Sequence, residues 1–496
     1  MKTKKLPPDP YLFIKSIAEQ GYSLSTAIAD LIDNSIAAGA KKIELLVDCQ
    51  NQPFKFFIAD NGNGMCDVEL IKNMRFPSSD MSEDRQSDDL GRFGLGLKTA
   101  SFSQTRKFTV LSRIKGGEFH GCTWDLDYLK KGEWELIINS DKEIKSLLNQ
   151  FKHLSTSFIG FQEDFIPNTI VIWEGLYKIE RLDGDAEEQK NALYSELSED
   201  TSEHLGLIFH RFIEKKELTI RLNNGIITPF LPFPAVEDLR ALSEKVREYK
   251  GEQISIQGYI LPARAIKESK EGLSIWTQNK RSLTDMEGIY VYRKDRLIIY
   301  GGWNRLVKKT TQFQLGRIMV QIGNKSDELF QLNVSKSNLK IPYEIKRAFL
   351  SIISEIKSEA FKEYKNRVNK ELIERKSEKG IVPLLKRSIT SLGTEYNVNE
   401  EYPLYKHLST TIDKQSMKVL QHLIRNINKE INEMLGIDER RHSGNKIIEN
   451  DFNEDDIKFY IELYTKRGFS KDLIIQILHT VFGNNELIDK LMQCQK

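Results

Sequence analysis

Cysteine is scarce in this chain, with four in 496 residues, at positions 49, 66, 122 and 494. None forms a C-x-x-C pair, so a zinc site and a disulfide framework are both disfavoured. No apolar run reaches the roughly eighteen residues that a membrane helix needs, so no membrane span is expected. Neither charge sign dominates. With 73 basic against 71 acidic residues and a net charge of +2, bulk charge argues neither for nor against a nucleic-acid partner. The opening Met1-Lys-Thr-Lys-Lys is basic, but Leu6-Pro-Pro-Asp-Pro follows it instead of an apolar stretch. A secretory signal is therefore not expected, and the cytoplasm is the expected location. Internal repeats and low-complexity tracts are missing as well. So is a Walker A loop, whose G-x-x-x-x-G-K-[ST] spacing occurs nowhere.

What the chain does have is length. It exceeds what one core usually holds, so two or three domains are expected. Leu24, Ile28, Leu31 and Ile32 recur at helical spacing within residues 10–40. Lys42 to Asp48 alternates like a strand, and Phe54 to Ala59 reads as a second. Between Arg75 and Leu90 lies a polar, serine-rich stretch without periodicity, read as a mobile loop. Further strands are read at Phe108 to Arg113, His120 to Leu126 and Ile170 to Trp173. The sum is an α+β layer over residues 1–200, with a boundary placed in the acidic stretch 185–204. A second α+β region, residues 201–342, takes the strands near Leu218, Ile254, Gly288, Leu297 and Arg317. Residues 343–435 read as helical, beginning with one long charged helix, and 436–496 as a linker and a small helical unit.

Three segments carry chemistry. In Ala29-Asp-Leu-Ile-Asp-Asn-Ser-Ile, Asp30 and Asn34 stand at i and i+4 and share one helix face. A carboxylate and an amide oxygen together suit a magnesium–phosphate site, the amide as a hard neutral ligand and the acid to polarise water. A solvated helix face is the plain alternative. In Asp60-Asn-Gly-Asn-Gly-Met, which follows an apolar strand directly, Asp60 can accept an adenine amino group while Gly62 and Gly64 admit a base to the backbone. An ordinary glycine turn is the alternative there. In Gly91-Arg-Phe-Gly-Leu-Gly-Leu-Lys, glycines 91, 94 and 96 open a helix whose free N–H groups can cradle phosphate, with Lys98 adding a mobile positive charge.

Taken in order, these segments resemble the N, G1 and G2 boxes of the GHKL superfamily, which includes DNA gyrase B, the ninety-kilodalton heat-shock chaperone, histidine kinases and MutL. Thr169 resembles the late strand threonine that backs the adenine pocket. Tyr22 to Ser35 is similar to MORC-type ATPases and their prokaryotic relatives. Gly288-Ile-Tyr-Val-Tyr-Arg-Lys-Asp-Arg-Leu-Ile and Phe330-Gln-Leu-Asn-Val-Ser-Lys-Ser-Asn resemble the MORC transducer. The resemblance implies a Bergerat-fold ATPase domain, then a transducer-like (ribosomal-S5-like) α+β domain and a helical C-terminal region.

It also implies roles. Asp30 stands at the catalytic-base position and Asn34 at that of the magnesium ligand. Asp60 reads adenine, with Gly62, Gly64 and Met65 around it. Gly91, Gly94, Gly96 and Lys98 form the base of the phosphate lid. Lys336 matches the transducer lysine that meets the γ-phosphate. ATP and Mg²⁺ are the implied cofactors, and hydrolysis of ATP to ADP and phosphate the implied activity. ATP would close a homodimer, with the loop 75–90 as lid and residues 1–12 as an arm reaching across.

Two residues depart from the pattern: aspartate replaces glutamate at 30, and Ala37 replaces the aspartate often found three residues after the asparagine. Both bear on hydrolysis more than on binding, and a clamp with little turnover stays open as an alternative. Asp33 is a rival base. A histidine kinase is disfavoured, because no histidine precedes Asn34. DNA, including foreign DNA in a defence complex, is a partner by family analogy alone. Trp276 to Lys309 holds eight basic residues against three acidic ones, interleaved with Tyr290, Tyr292, Tyr300 and Trp303. That pattern suits a nucleic-acid groove, or else aromatics in a core behind a solvated strand edge. Protein partners would dock on the helical C-terminal region.

Overall fold

Ser23 starts the helix on which the site is built. Its hydroxyl accepts from the Thr26 amide at 3.2 Å, and Thr26 Oγ1 accepts from the Ser23 amide at 3.0 Å, a reciprocal cap. The helix ends where Gly39 takes φ +76°, its N–H returning to the Ile36 carbonyl at 2.9 Å. A computed structural model of the protein describes residues 4, 8–18, 21–50, 52–76, 96–159, 165–181, 183–223, 225–249, 251–272, 274–279, 281–304, 306–311, 313–323, 343–377, 382–390, 393–434, 454–482 and 486–493. They fall in two compact units, Met1–Arg367 and Val368–Lys496.

The first unit opens with α1 (Pro10–Ala18), α2 (Leu24–Ala37), β1 (Lys42–Asp48), β2 (Lys55–Asp60), α3 (Asp67–Met74), α4 (Gly96–Gln104), β3 (Lys107–Ser112), β4 (His120–Asp125), β5 (Ile137–Ile138), α5 (Asp141–Ile159) and β6 (Thr169–Glu174). Short helices α6 (Tyr177–Glu180), α7 (Ala186–Ser195), α8 (Ser202–Ile208) and α9 (His210–Glu214) lead to β7 (Thr219–Leu222) and β8 (Gly225–Ile226). The first sheet runs β5-β4-β3-β6-β2-β1-β7-β8, with β1 and β7 parallel and the other neighbours antiparallel.

Alternation sorts the strand residues between two cores, as a pleat requires. Ile43, Leu45, Phe56, Ile58, Phe108, Val110, Val171 and Trp173 pack under the helices α1, α2 and α4. Leu46, Phe57, Ala59, Leu111, Ile170 and Ile172 face the other way, onto Ile144, Phe151 and Leu154 of α5.

Two boundaries differ from the sequence reading. Within the acidic stretch 185–204, Leu193 and Leu197 are buried in the first core, as is Leu205 just beyond it. The strand at Leu218 to Leu222 does not open the second sheet. It pairs with β1, Ile43 opposite Ile220, and extends the first. The second sheet comprises β9 (Arg240–Ala241), β10 (Lys245–Tyr249), β11 (Glu252–Ile260), β12 (Gly288–Arg293), β13 (Arg296–Ile299) and β14 (Gly316–Ile322), in the order β10-β11-β14-β12-β13 with β9 beside β11. Helices α10 (Ala265–Glu271) and α11 (Leu283–Met286) interrupt it. The long helix α12 (Tyr343–Ser377) lays Phe349, Ile352, Ile353 and Ile356 against this sheet.

The second unit contains a hairpin, β15 (Leu385–Thr390) and β16 (Gly393–Val398), where the sequence reading has only helix and polar breaks. Asn432 supports it by bonding the backbone of Tyr396 in both directions, at 2.9 and 2.8 Å. Helices α13 (Pro403–Thr411), α14 (Lys414–Met434), α15 (Glu454–Lys466), α16 (Lys471–Phe482) and α17 (Glu486–Gln493) complete it. Among the described residues, no helix is long and apolar enough to cross a membrane.

Candidate nucleotide-binding site

Three strands end side by side at the site. Asp60 of β2 lies opposite Thr169 of β6, and Thr169 lies opposite Ser112 of β3. All three follow the alternation of the face beneath α2, so a polar row closes the apolar layer. Ser112 Oγ and Thr169 Oγ1 are 2.9 Å apart, and Ser112 Oγ accepts from the Met65 amide at 3.0 Å.

Asp60 is 6% exposed. Its Oδ1 accepts from the Gly62 amide and its Oδ2 from the Ser35 hydroxyl, each at 2.9 Å. Burial raises its carboxyl above the usual aspartate range, and these two donors draw it partly back. Ser35 follows Asn34 directly on α2, so one helix presents the acid–amide pair and also holds the strand-end carboxylate. The turn beyond Asp60 is tied down by Asn168, whose Nδ2 donates to the Gly62 carbonyl at 2.7 Å, and by the Asn63 amide, which donates to Ala38 O at 2.8 Å. Gly64 has φ +68°, and a β-carbon there would lie 1.8 Å from the Arg113 carbonyl. Only glycine lets the turn pass so close to β3.

Asp30 and Asn34 are half-buried on α2. Asp30 Oδ2 accepts from the Tyr22 hydroxyl at 3.0 Å. Asp33, one position before Asn34, is engaged elsewhere: its Oδ1 accepts from Arg296 Nε at 2.8 Å, and both side chains are buried. Gly96 opens α4, and among the described residues nothing lies within 4 Å of where its β-carbon would stand.

The mobile charge expected of Lys98 takes another form here. Lys98 is 1% exposed, and its ammonium donates to the carbonyls of Asn73 at 2.8 Å and Arg75 at 2.5 Å, at the C-terminal end of α3. That end carries partial negative charge, which suits a cation. Burial lowers this amine to about 7. Gly91, Gly94, most of the loop 75–90 and Lys336 lie outside the described residues, as do residues 1–3 and 5–7 of the arm.

The aromatic groove between Trp276 and Lys309 is corrected. Tyr290 and Tyr292 are 0% exposed and Trp303 2%, and Arg293 and Arg296 are buried as well. The β12 side chains are buried throughout the strand, so these rings are core. Ser112 was not singled out in the sequence; Tyr22, Ser35, Asn168 and Arg296 stand in or beside segments that were, but their partners were not foreseen.

A strand-end carboxylate pinned by a helix hydroxyl, beneath an acid–amide pair on the same helix, defines a GHKL-type ATP-binding domain. Residues 22–157 match the family described as histidine kinase-, DNA gyrase B-, and HSP90-like ATPase, and this part of the chain is such a domain. No curated protein matches the chain at a significant level. Chemically, hard oxygens from Asn34 and Asp30 suit a magnesium-bound triphosphate, and Asp60 suits an exocyclic amine.

Proposed function

We propose that the protein is a magnesium-dependent ATPase of slow turnover, and that ATP closes it into a homodimer that works as a clamp. The observation that carries this reading is the buried Asp60, held by Ser35 and Gly62 in one row with Thr169 and Ser112. A carboxylate kept dry at a strand end accepts an amino group strongly, because no water competes. In this reading Asp60 takes the adenine amino group and Thr169 backs the ring, with Gly62, Gly64 and Met65 forming the pocket wall. Asn34 holds Mg²⁺, whose charge offsets that of the phosphates. Gly91, Gly94 and Gly96 offer amides to the phosphates, and Lys98 lies beside them. Asp30 removes the proton from the attacking water, and Lys336 meets the γ-phosphate.

Titration calorimetry with Mg·ATP tests the site. Asn34→Ala and Asp60→Asn should each abolish binding, and parent-like binding by both would overturn the assignment. Light scattering with a non-hydrolysable analogue should show the mass doubling. A mass unaltered by nucleotide would remove the clamp.

A second reading, a nucleotide-gated clamp with little hydrolysis, draws on Asp30. That carboxylate is one methylene shorter than the glutamate of the resemblance. Single-turnover release of labelled phosphate separates the two. DNA as the clamped partner, in processing or in defence against foreign DNA, rests on the MORC resemblance, since Tyr290, Tyr292 and Trp303 of the suggested groove are core and Tyr300 is half-buried against it. Retention on DNA only with the ATP analogue would support it.

A further inference from the structure

We infer that Tyr22 is a positioning residue for hydrolysis, orienting the Asp30 carboxylate and linking it to the first turn of α4 through Thr99. This rests on the reading of Asp30 as the base. Tyr22 is 3% exposed and stands immediately before the α2 cap. Its hydroxyl donates to Asp30 Oδ2 at 3.0 Å, and the Thr99 side chain, whose hydroxyl reaches the Gly96 carbonyl at 3.2 Å, stands beside the same phenol. Thr99 lies three residues after Gly96, at the helix start assigned to the phosphates. The phenol therefore bridges the proposed base and the proposed phosphate cradle.

The Tyr22 backbone is held too. Its carbonyl accepts from Gln104 Nε2 at 3.3 Å and from Lys178 Nζ at 2.6 Å. Gln104 ends α4 while Thr99 begins it, so the tyrosine is fixed to both ends of one helix. Burial, then the charge and hydrogen bond of Asp30, raise the phenol well above its ordinary value. It stays protonated and remains a donor. An aspartate turns easily about its terminal torsion, where the wells are broad. A fixed donor on one oxygen sets the direction of the other. That matters more for aspartate than for glutamate, because the shorter arm leaves less tolerance in placing the water.

The test is ATP turnover by the full chain. Tyr22→Phe keeps the ring in its place and removes only the donor. The expected result is a kcat reduced about 10- to 100-fold, with KM and ADP affinity changed less than about twofold. In an Asp30→Ala background, Tyr22→Phe should add no further loss, because its effect passes through that carboxylate. Thr99→Val should lower kcat by a smaller factor in the same pattern. Parent-like kcat in Tyr22→Phe, with Asp30→Ala inactive, overturns the inference and leaves the base assignment standing. Losses that add in the double variant, or that fall on ADP affinity and kcat alike, reduce Tyr22 to a structural role and also overturn it. Turnover retained in Asp30→Ala, or absent from the parent, overturns the base assignment and the inference together.

Discussion

Arg296 Nε stands 2.8 Å from Asp33 Oδ1, joining the second sheet to the helix that carries Asp30 and Asn34. The guanidinium also lies 4.9 Å from the ring of Phe209 and donates to the Leu297 carbonyl. Burial, with Arg296 and Arg281 nearby, holds His204 down to about 3, so the neighbouring imidazole brings no positive charge to Asp33. The rival base of the sequence reading is thereby committed to an ion pair. Arg296→Ala would take this guanidinium from a buried carboxylate, at a cost of about 1.5–3 kcal/mol for the lost charged hydrogen bond. Denaturant unfolding should show that loss, and Arg296→Ala with Asp33→Ala should lose less than the sum of the single changes. Strict additivity would show that the pair is not coupled.

Asp60 sets stability and function against each other. Its folded-state carboxyl is raised, so its contribution is fully present below the unfolded value and is lost as pH rises through the folded one. Where this carboxyl is ionised, the nucleotide-free protein holds the charge at some expense. Asp60→Asn should raise the melting temperature while ATP binding disappears. In the parent, ATP affinity should weaken as pH falls and the acceptor gains a proton. An affinity that does not change with pH would contradict this.

Two glycines of the site should respond oppositely to alanine. At Gly64 the new β-carbon would meet a backbone carbonyl at 1.8 Å on a left-handed residue, and Gly64→Ala should destabilise by more than about 2 kcal/mol. At Gly96 nothing among the described residues lies within 4 Å, so Gly96→Ala should melt like the parent. Weakened ATP binding in that folded variant would place phosphate at the start of α4. Normal binding would move it elsewhere.

Glu287 offers a pH test in the second sheet. It is 0% exposed, its Oε1 accepts from Trp303 Nε1 at 3.0 Å and from the Thr310 amide at 3.2 Å, and its Oε2 has no partner among the described residues. Burial raises the carboxyl to about 7. Stability from this group is therefore greatest below its unfolded value and declines as pH rises to about 7, by about 3 kcal/mol in all. Glu287→Gln should flatten that part of the stability–pH curve. An unchanged slope would show that the carboxylate finds a partner.

Much of the first domain was legible because its signals are local. The α2 cap, the strand that runs into Asp60 and the acid–amide spacing each lie within a few residues of chain. What stayed hidden depends on side-chain contacts that spacing does not reveal. Tyr22 lies only eight residues before Asp30, yet the contact shows only once its ring is placed along α2, and Arg296 meets Asp33 across 263 residues of chain. The acidic stretch 185–204 misled because its leucines are spaced for a helix while charge dominates the composition. The tyrosines of β12 misled because an aromatic flanked by arginines reads alike whether it faces solvent or a core.

The parallel pairing of β1 with β7 also bears on how the protein is made. As the chain leaves the ribosome, β1 can pair with β2 early, but its other edge waits until Thr219 to Leu222 have been synthesised. Through that interval Lys42 to Leu45 keep the backbone groups that β7 will pair open. An exposed strand edge of this kind invites pairing with a second nascent chain. A ribosome that stalls between Lys98 and Thr169 would therefore release an aggregation-prone product, although the motifs around Asn34, Asp60 and Gly96 had already been translated.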